Sequence, residues 1–177
     1  MPTIPAGFSM KRLILARHAK SSWSYPHLSD LERPLNKRGK KAAPIMGKAL
    51  KERGILPEAI FASPSVRTQK TSALLAEQLD FPIEEIRVVD SFYGADPGSI
   101  VRFARELDDA LSTVMLVGHN PTWTALSYSL TGQHLANLPT AGILVIDFER
   151  DRWADLDDNG QRRALLIPRD FNCGGGQ

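Results

Sequence analysis

Short apolar runs alternate with helix-like segments along most of the chain, and no other feature constrains the fold as strongly. The runs RLILA, EAIFAS, STVMLVG and GILVIDF have the length of strands that are covered on both faces. Between them, apolar residues recur at helical spacing, as at Ala42, Ile45, Met46, Ala49 and Leu50. This alternation predicts an α/β fold, a three-layer sandwich with a mainly parallel central sheet flanked by helices.

Capping residues and prolines place the predicted helices along the chain. Asn36 is suited to cap the first helix and Gly54 to end it, and Pro44 is expected to kink or divide it. Asp96 and Pro97 are suited to begin the third helix. The second and fourth helices are predicted over VRTQKTSALLAEQL and PTWTALSYSLTG, and two further strands over IRVVD and RRALLIP.

The chain of 177 residues has the size of one domain, and it contains no internal repeat. An apolar share of 42% and a charged share of 24% argue against disorder of the whole chain. We therefore expect a single domain over residues 1–177, with a core at about 11–170 and flexible ends at 1–10 and 171–177.

The charge pattern does not favour a nucleic-acid partner. The formal net charge is only +2, and the one basic cluster, at Lys37, Arg38, Lys40 and Lys41, has no aromatic residues interleaved with it. We interpret this cluster as a solvated helix face. No apolar run approaches the roughly 18 residues that cross a bilayer, so no membrane partner is expected either.

Two observations favour the cytoplasm. The single cysteine, Cys173, cannot form an intramolecular disulfide, and the first ten residues lack the basic and apolar regions of a signal peptide. The sequence does not distinguish a translation start at Met1 from one at Met10. It also leaves the oligomeric state open, and a monomer is compatible with it.

Cationic and imidazole side chains follow three of the predicted strands. Arg17 and His18 end the first strand, Arg67 follows the second and His119 follows the fourth. Because ligands bind at the carboxyl ends of parallel strands, these four side chains are predicted to meet at one edge of the sheet. Neighbouring residues of a strand point to opposite faces, and the small Ala19 permits the chain to turn so that Arg17 and His18 enter one pocket.

Two arginines and two histidines at one edge favour phosphoryl transfer over other chemistries. Arginine donates forked hydrogen bonds that fit phosphate oxygens, and histidine acts as a nucleophile or base near neutral pH. A metal site is not expected, because two arginines would repel the ion and no metal-ligand motif occurs. The sequence also lacks a P-loop and a Gly-x-Ser-x-Gly elbow. We therefore predict phosphoryl transfer through a phosphohistidine, with no metal or other cofactor.

Four blocks of this sequence resemble those of the histidine phosphatase (phosphoglycerate mutase-like) superfamily. RHAKSSW is similar to its Arg-His-Gly signature, with Ala19 in place of the glycine, and RPLNKRGKKAA is similar to its Leu-Thr-x-x-Gly helix start. SPSVRTQKTS resembles the Ser-Pro-x-x-Arg-x-x-Gln-Thr block, and VMLVGHNP resembles the block with the second histidine. The order and spacing of the blocks match over residues 11–150, and their residues are most similar to those of SixA-type phosphohistidine phosphatases. The resemblance implies a phosphoglycerate mutase-like fold.

The resemblance also implies roles for the four residues at the sheet edge. His18 would be the nucleophile that becomes phosphorylated. Arg17, Arg67 and His119 would hold the phosphoryl oxygens and stabilise the charge of the transition state. No metal would be needed.

Four further residues are candidates for the site. Lys20 and Asn120 could bind substrate, although Lys20 could also be a solvated cation and Asn120 could also cap the following helix. Many members of the superfamily carry a glutamate proton donor after the third strand. Here the only carboxylates in that region, VVDSFYGADPGS, are Asp90 and Asp96, and Asp96 could instead be a helix cap.

The missing glutamate favours a leaving group that departs without much help from an acid. The imidazole of a phosphohistidine is such a group, so the expected partner is a phosphorylated protein, which a chain without a long lid insertion could admit. Two alternatives stay open: a phosphomonoesterase for small phosphorylated metabolites, and a non-catalytic phosphate-binding adaptor. The intact set of Arg17, His18, Arg67 and His119 argues against the adaptor, because a binder does not need a nucleophile.

Overall fold

The computed structural model describes residues 9–171, which form a six-stranded sheet with helices on both faces. The strands are β1 (Lys11–Arg17), β2 (Ala59–Ala62), β3 (Arg87–Val88), β4 (Thr113–Gly118), β5 (Ile143–Phe148) and β6 (Gln161–Leu166). The helices are α1 (Lys37–Glu52), α2 (Val66–Gln78), α3 (Pro97–Arg105) and α4 (Thr122–Thr131). The ends for which we expected flexibility lie mostly outside the described residues, at 1–8 and 172–177. Met1 and Cys173 are among these residues.

The sheet is mixed, with a parallel part that carries the predicted site. Its strand order is β3-β2-β4-β1-β5-β6, and the first four of these strands run parallel to one another. Strands β5 and β6 are antiparallel to their neighbours and complete the sheet on the other side of β1. The predicted α/β architecture is confirmed. In the register of β1 and β4, Arg17 lies beside Gly118, so the residues that follow both strands emerge next to each other.

Two hydrophobic clusters hold the helices against the sheet. Strand residues alternate between the faces, so Ile14 and Ala16 of β1 pack under α1 and α2, whereas Leu13 and Leu15 pack under α3 and α4. All four of these β1 side chains are buried completely. Burial on both faces explains why β1 reads as a continuous apolar run.

The predicted helix caps are present, but Pro44 does not divide α1. The Asn36 side chain accepts a hydrogen bond from the backbone N–H of Gly39, and α1 then continues without interruption from Lys37 to Glu52. A proline removes one backbone hydrogen bond from a helix. The apolar face on both sides of Pro44, including Ala43 and Met46, is buried in the core and keeps the helix in place.

Two other expectations differ from the structure. Strand β3 is only Arg87–Val88, shorter than the predicted IRVVD, because it pairs with β2 alone at the edge of the sheet. A tryptophan is expected in the interior by default, as Trp123 and Trp153 are, but Trp23 is 81% exposed. Its ring stacks on the Arg33 guanidinium instead, with 3.3 Å between the guanidinium carbon and the ring centroid. None of the helices within residues 9–171 is long and apolar enough to cross a membrane.

Candidate active site

The carboxyl ends of β1, β2 and β4 bring Arg17, His18, Arg67 and His119 together, as their positions in the sequence predict. The rings of His18 and His119 are 5.3 Å apart between centroids, and an Nη2 of Arg67 lies 3.5 Å from Nδ1 of His119. Arg17, His18 and Arg67 line one cavity together. Gly118 is essential to this arrangement, because a Cβ there would lie 2.2 Å from the Trp123 ring that packs α4 against the end of β4.

His18 is held in its neutral form, in which one ring nitrogen keeps its lone pair. Its side chain is 8% exposed, and its Nδ1 lies 2.8 Å from the backbone carbonyl oxygen of Ala19. A carbonyl oxygen only accepts hydrogen bonds, so Nδ1 carries the proton and Nε2 keeps the lone pair. Burial lowers the pKa of His18 to about 3, which keeps the ring uncharged at neutral pH.

The turn after β1 is anchored to α2, which also carries Arg67. The backbone N–H of Ala19 donates to Oγ1 of Thr71, and that hydroxyl donates to the carbonyl oxygen of Arg67. The three residues are buried, so the connection is shielded from water. It fixes the position of the His18 backbone relative to the helix that supplies Arg67.

Both arginines have buried donors that are free for an anion. The Nε atoms of Arg17 and Arg67 are buried and have no hydrogen-bond partner among the described residues. Arg17 donates from Nη1 to the carbonyl oxygen of Leu138, 3.0 Å away, and burial lowers its pKa without neutralising it. Buried unpaired donors are rare in proteins and often mark a ligand site. A phosphoryl group supplies acceptors of the kind that guanidinium groups bind.

His119 lies between Arg67 and Ser63. Its Nε2 is 2.7 Å from Oγ of Ser63, a buried residue at the end of β2. Arginine only donates, so the contact between Arg67 and Nδ1 of His119 places the ring proton on Nε2, where it is donated to Ser63. Burial, and then the charge of Arg67, lower the pKa of His119 to about 4. Ser63 is the first residue of the SPSVRTQKTS block, and nothing in the sequence alone assigns it this contact.

Asp30 is a member of the site that the sequence analysis missed. Arg67 donates from Nη1 to its backbone oxygen at 2.5 Å and from Nη2 to its Oδ2 at 2.9 Å. The Tyr93 hydroxyl donates to the same Oδ2 at 2.6 Å, and Arg33 donates to Oδ1 at 3.0 Å. These hydrogen bonds, first that from Tyr93 and then those from the two arginines, hold the pKa of Asp30 far below its usual range. The hydrogen bond to Asp30 in turn raises the pKa of Tyr93.

Two cavities open on either side of His18 and Arg67, which line both. The first, which we call the basic cavity, has a volume of about 410 Å³, and its walls include Arg17, Lys20, Trp23 and Arg33. The second, of about 570 Å³, is lined on its far side by Asp30, Tyr93, His119 and Asn120, among others. Both volumes lie in the range of small-molecule pockets.

The weaker candidates occupy different positions. Lys20 is exposed on the wall of the basic cavity. Asn120 lines the second cavity, but its amide nitrogen donates to Oδ1 of Asn137 and to the carbonyl oxygen of Leu138, each at 2.9 Å. Its Oδ1 accepts from the backbone N–H and hydroxyl of Thr124 in α4. In this arrangement the Asn120 amide connects the loop that carries Asn137 and Leu138 to the first turn of α4.

Neither carboxylate after β3 lines the two cavities. Asp90 begins a short 3₁₀ turn, Asp90–Phe92, and Asp96 caps α3 by accepting a hydrogen bond from the backbone N–H of Ser99 at 2.9 Å. Asp30, the carboxylate that does line the second cavity, is held in its ionised form. Within residues 9–171, no three His, Cys, Asp or Glu side chains gather closely enough to hold a metal ion.

Comparisons with known proteins agree with this geometry. A sequence profile of the histidine phosphatase superfamily (branch 1) matches residues 13–92. A Mycobacterium leprae protein is 30% identical over 166 residues, an alignment that covers 86% of this chain and 99% of the relative. The crystal structure of an Agrobacterium tumefaciens protein assigned as the phosphohistidine phosphatase SixA superposes with a TM-score of 0.77 at 27% identity, over 89% of this chain and 98% of that one. A SixA structure from Nakamurella, with the same assignment, gives 0.76 at 26% identity, over 90% and 97%.

Proposed function

The chain is a SixA-like member of the histidine phosphatase superfamily, and we propose that it hydrolyses phosphohistidine side chains of proteins through a phosphoenzyme intermediate on His18. The state of His18 carries this proposal. Its ring is buried and neutral, its Nδ1 is occupied by the Ala19 carbonyl, and its Nε2 is left as the nucleophile. A binding protein for phosphate would gain nothing from such a residue.

In the first step, Nε2 of His18 attacks the phosphorus atom of the substrate. A new N–P bond forms as the N–P bond of the substrate breaks, and the bonding electron pair stays with the substrate imidazole, which leaves as a neutral ring because its other nitrogen already carries a proton. Arg17 and Arg67 donate to the phosphoryl oxygens and balance the charge that spreads over them in the transition state. Charged donors of this kind contribute several orders of magnitude to the rates of phosphoryl transfer enzymes.

In the second step, a water molecule attacks phosphorus from the side that the substrate imidazole has left. The bond from phosphorus to Nε2 breaks, the electron pair returns to His18, and inorganic phosphate carries away the added oxygen together with the two protons of the water. Because Nδ1 donates to Ala19 throughout, the ring leaves each step in the tautomer in which it entered. We propose that neither step needs a metal ion, since the two guanidinium groups supply the positive charge.

Among the described residues, the site offers no suitable proton donor, which favours phosphohistidine over alcohol phosphates as the substrate. An alkoxide leaving group needs a general acid. Asp30 is ionised at neutral pH, and Asp90 and Asp96 line neither cavity. The pKa of Tyr93 is raised, so its hydroxyl is a poor acid. A phosphomonoesterase for small metabolites is therefore the less favoured function. Activity on sugar phosphates comparable with that on phosphohistidine would favour the phosphomonoesterase instead.

Trapping of the phosphoenzyme tests the proposal directly. The protein is mixed for a short time with ³²P-labelled phosphoramidate, quenched in alkali, because phosphohistidine is labile in acid, and digested for peptide mapping. We expect the label on His18 in the wild type and no label or turnover in His18→Ala. His134→Ala, which removes an exposed histidine, should label normally. Label that persists in His18→Ala would refute the assigned nucleophile.

A further inference from the structure

The two cavities beside His18 differ in charge. The basic cavity is lined by four cations, Arg17, Lys20, Arg33 and Arg67, and by no carboxylate. A small cleft shares Lys20 with this cavity and adds Arg38, again without a carboxylate. The second cavity, in contrast, has Asp30 in its wall. A substrate that extends from His18 past Lys20 therefore meets positive charge only.

Three cations on this side of the site have no carboxylate partner among the described residues. Lys20, Arg38 and Lys41 take part in none of the salt bridges within residues 9–171, whereas Arg33 and Arg67 of the basic cavity both pair with Asp30. These three side chains are exposed. Uncompensated charge at the mouth of a site attracts partners of the opposite sign and raises their rate of association.

Trp23 adds an apolar platform to the same mouth. It lines the basic cavity, and Arg33 covers one face of its ring at 3.3 Å. Arg33 is itself held by hydrogen bonds to Ser21, Ser22 and Asp30, so the stack has a rigid base. The side chain of Trp23 is nevertheless 81% exposed, which is rare for a residue of this size. Tryptophan and arginine are the residues that most often dominate binding energy at protein interfaces.

We propose that Lys20, Trp23 and Arg38 form a docking face for an acidic polypeptide segment that flanks the phosphohistidine of the substrate protein. This inference rests on the proposed function and names the side from which the substrate approaches. Acidic side chains on the segment pair with Lys20 and Arg38, and an apolar side chain covers the open face of Trp23. Because Arg38 lies in the cleft beyond Lys20, we expect a small phosphorylated molecule bound at His18 not to depend on Arg38 or on the exposed ring of Trp23.

Matched phosphohistidine peptides test the docking face. Two peptides carry the same central phosphohistidine, flanked by Glu residues in one and by Lys residues in the other, and phosphoramidate serves as the small substrate. We expect kcat/KM for the acidic peptide to exceed that for the basic peptide about tenfold at low salt, and this ratio to shrink at physiological salt, where the Debye length is about 8 Å. Arg38→Glu should abolish most of the preference, and Trp23→Ala should lower kcat/KM for the acidic peptide about tenfold.

The controls separate docking from chemistry. Turnover of phosphoramidate should stay within about twofold of wild type in Arg38→Glu and Trp23→Ala, which also reports that both variants are folded. Arg102→Glu and Tyr128→Ala make the same kinds of change on exposed positions of α3 and α4, on the other face of the sheet, and should leave the peptide preference intact. Equal use of both peptides by the wild type would overturn the docking face alone. Failure to hydrolyse any phosphohistidine peptide would overturn the proposed function and the docking face with it.

Discussion

Burial of a neutral His18 predicts that the protein loses stability in mild acid. The ordinary pKa of histidine is 6.5, and in the folded protein burial lowers that of His18 to about 3. The unfolded chain therefore binds a proton as the pH falls below 6.5, whereas the folded protein does not until the pH approaches 3. The stability that the neutral ring contributes is complete above 6.5 and is lost as the pH falls from 6.5 towards 3. At pH 5, 1.5 units below the unfolded value, this loss is about 2 kcal/mol for His18, a large share of a typical stability of about 5–15 kcal/mol.

Urea unfolding between pH 8 and pH 5 measures this contribution. His18→Asn places an amide donor at the position of Nδ1 for the Ala19 carbonyl but cannot titrate, so its stability should fall by about 2 kcal/mol less over this range than that of the wild type. Burial also lowers the pKa of His119, and this accounts for a further fall in stability that both proteins share. The exposed His134 is the control, and His134→Gln should follow the wild-type curve. Parallel curves for wild type and His18→Asn would refute a buried neutral His18.

Three further predictions concern activity. Phosphoramidate turnover should survive EDTA within about twofold, because the guanidinium groups supply the charge; a loss restored by one divalent ion would contradict this. Asp30→Asn should lower kcat/KM about tenfold or more by releasing Arg67, whereas Asp80→Asn, at an exposed ion pair, should have no effect. Rates should fall steeply with the pKa of the leaving group, and Asp90→Asn and Asp96→Asn should each cost far less than the roughly 10²–10⁴-fold of a lost general acid; an aspartate variant that selectively abolishes alkyl phosphate turnover would disprove this.

The sequence alone predicts that the four central residues lie together, because the order and direction of the strands bring them to one edge of the sheet. Each of Arg17, His18 and His119 directly ends or follows a continuous apolar run, and Arg67 begins the helix after another. Once those runs are parallel strands, the meeting of their carboxyl ends is a consequence of topology. Nothing about the loop conformations was needed for this inference.

Asp30 could not be predicted in the same way, because it lies in the loop SSWSYPHLSDLERP, which has no periodicity. The path of this loop is set by contacts between distant residues: Ser21 bridges to Leu35, and Arg33 reaches back to Ser21 and Ser22. The exposed position of Trp23 could not be predicted for the same reason. A tryptophan is expected in the interior by default, and only the position of Arg33 in the folded loop offers its ring another surface.

Asp30 also explains how two arginines can lie next to two neutral histidines. Two unpaired guanidinium groups at this position would repel each other and resist burial. The Asp30 carboxylate compensates Arg67 at 2.9 Å, and it leaves the buried Nε of that residue free. The same ion pair holds the carboxylate ionised, so it cannot donate a proton to a leaving group. A site built in this way concentrates positive charge around the phosphoryl group but provides no acid catalyst. It therefore suits substrates whose leaving group is stable without immediate protonation, as imidazole is.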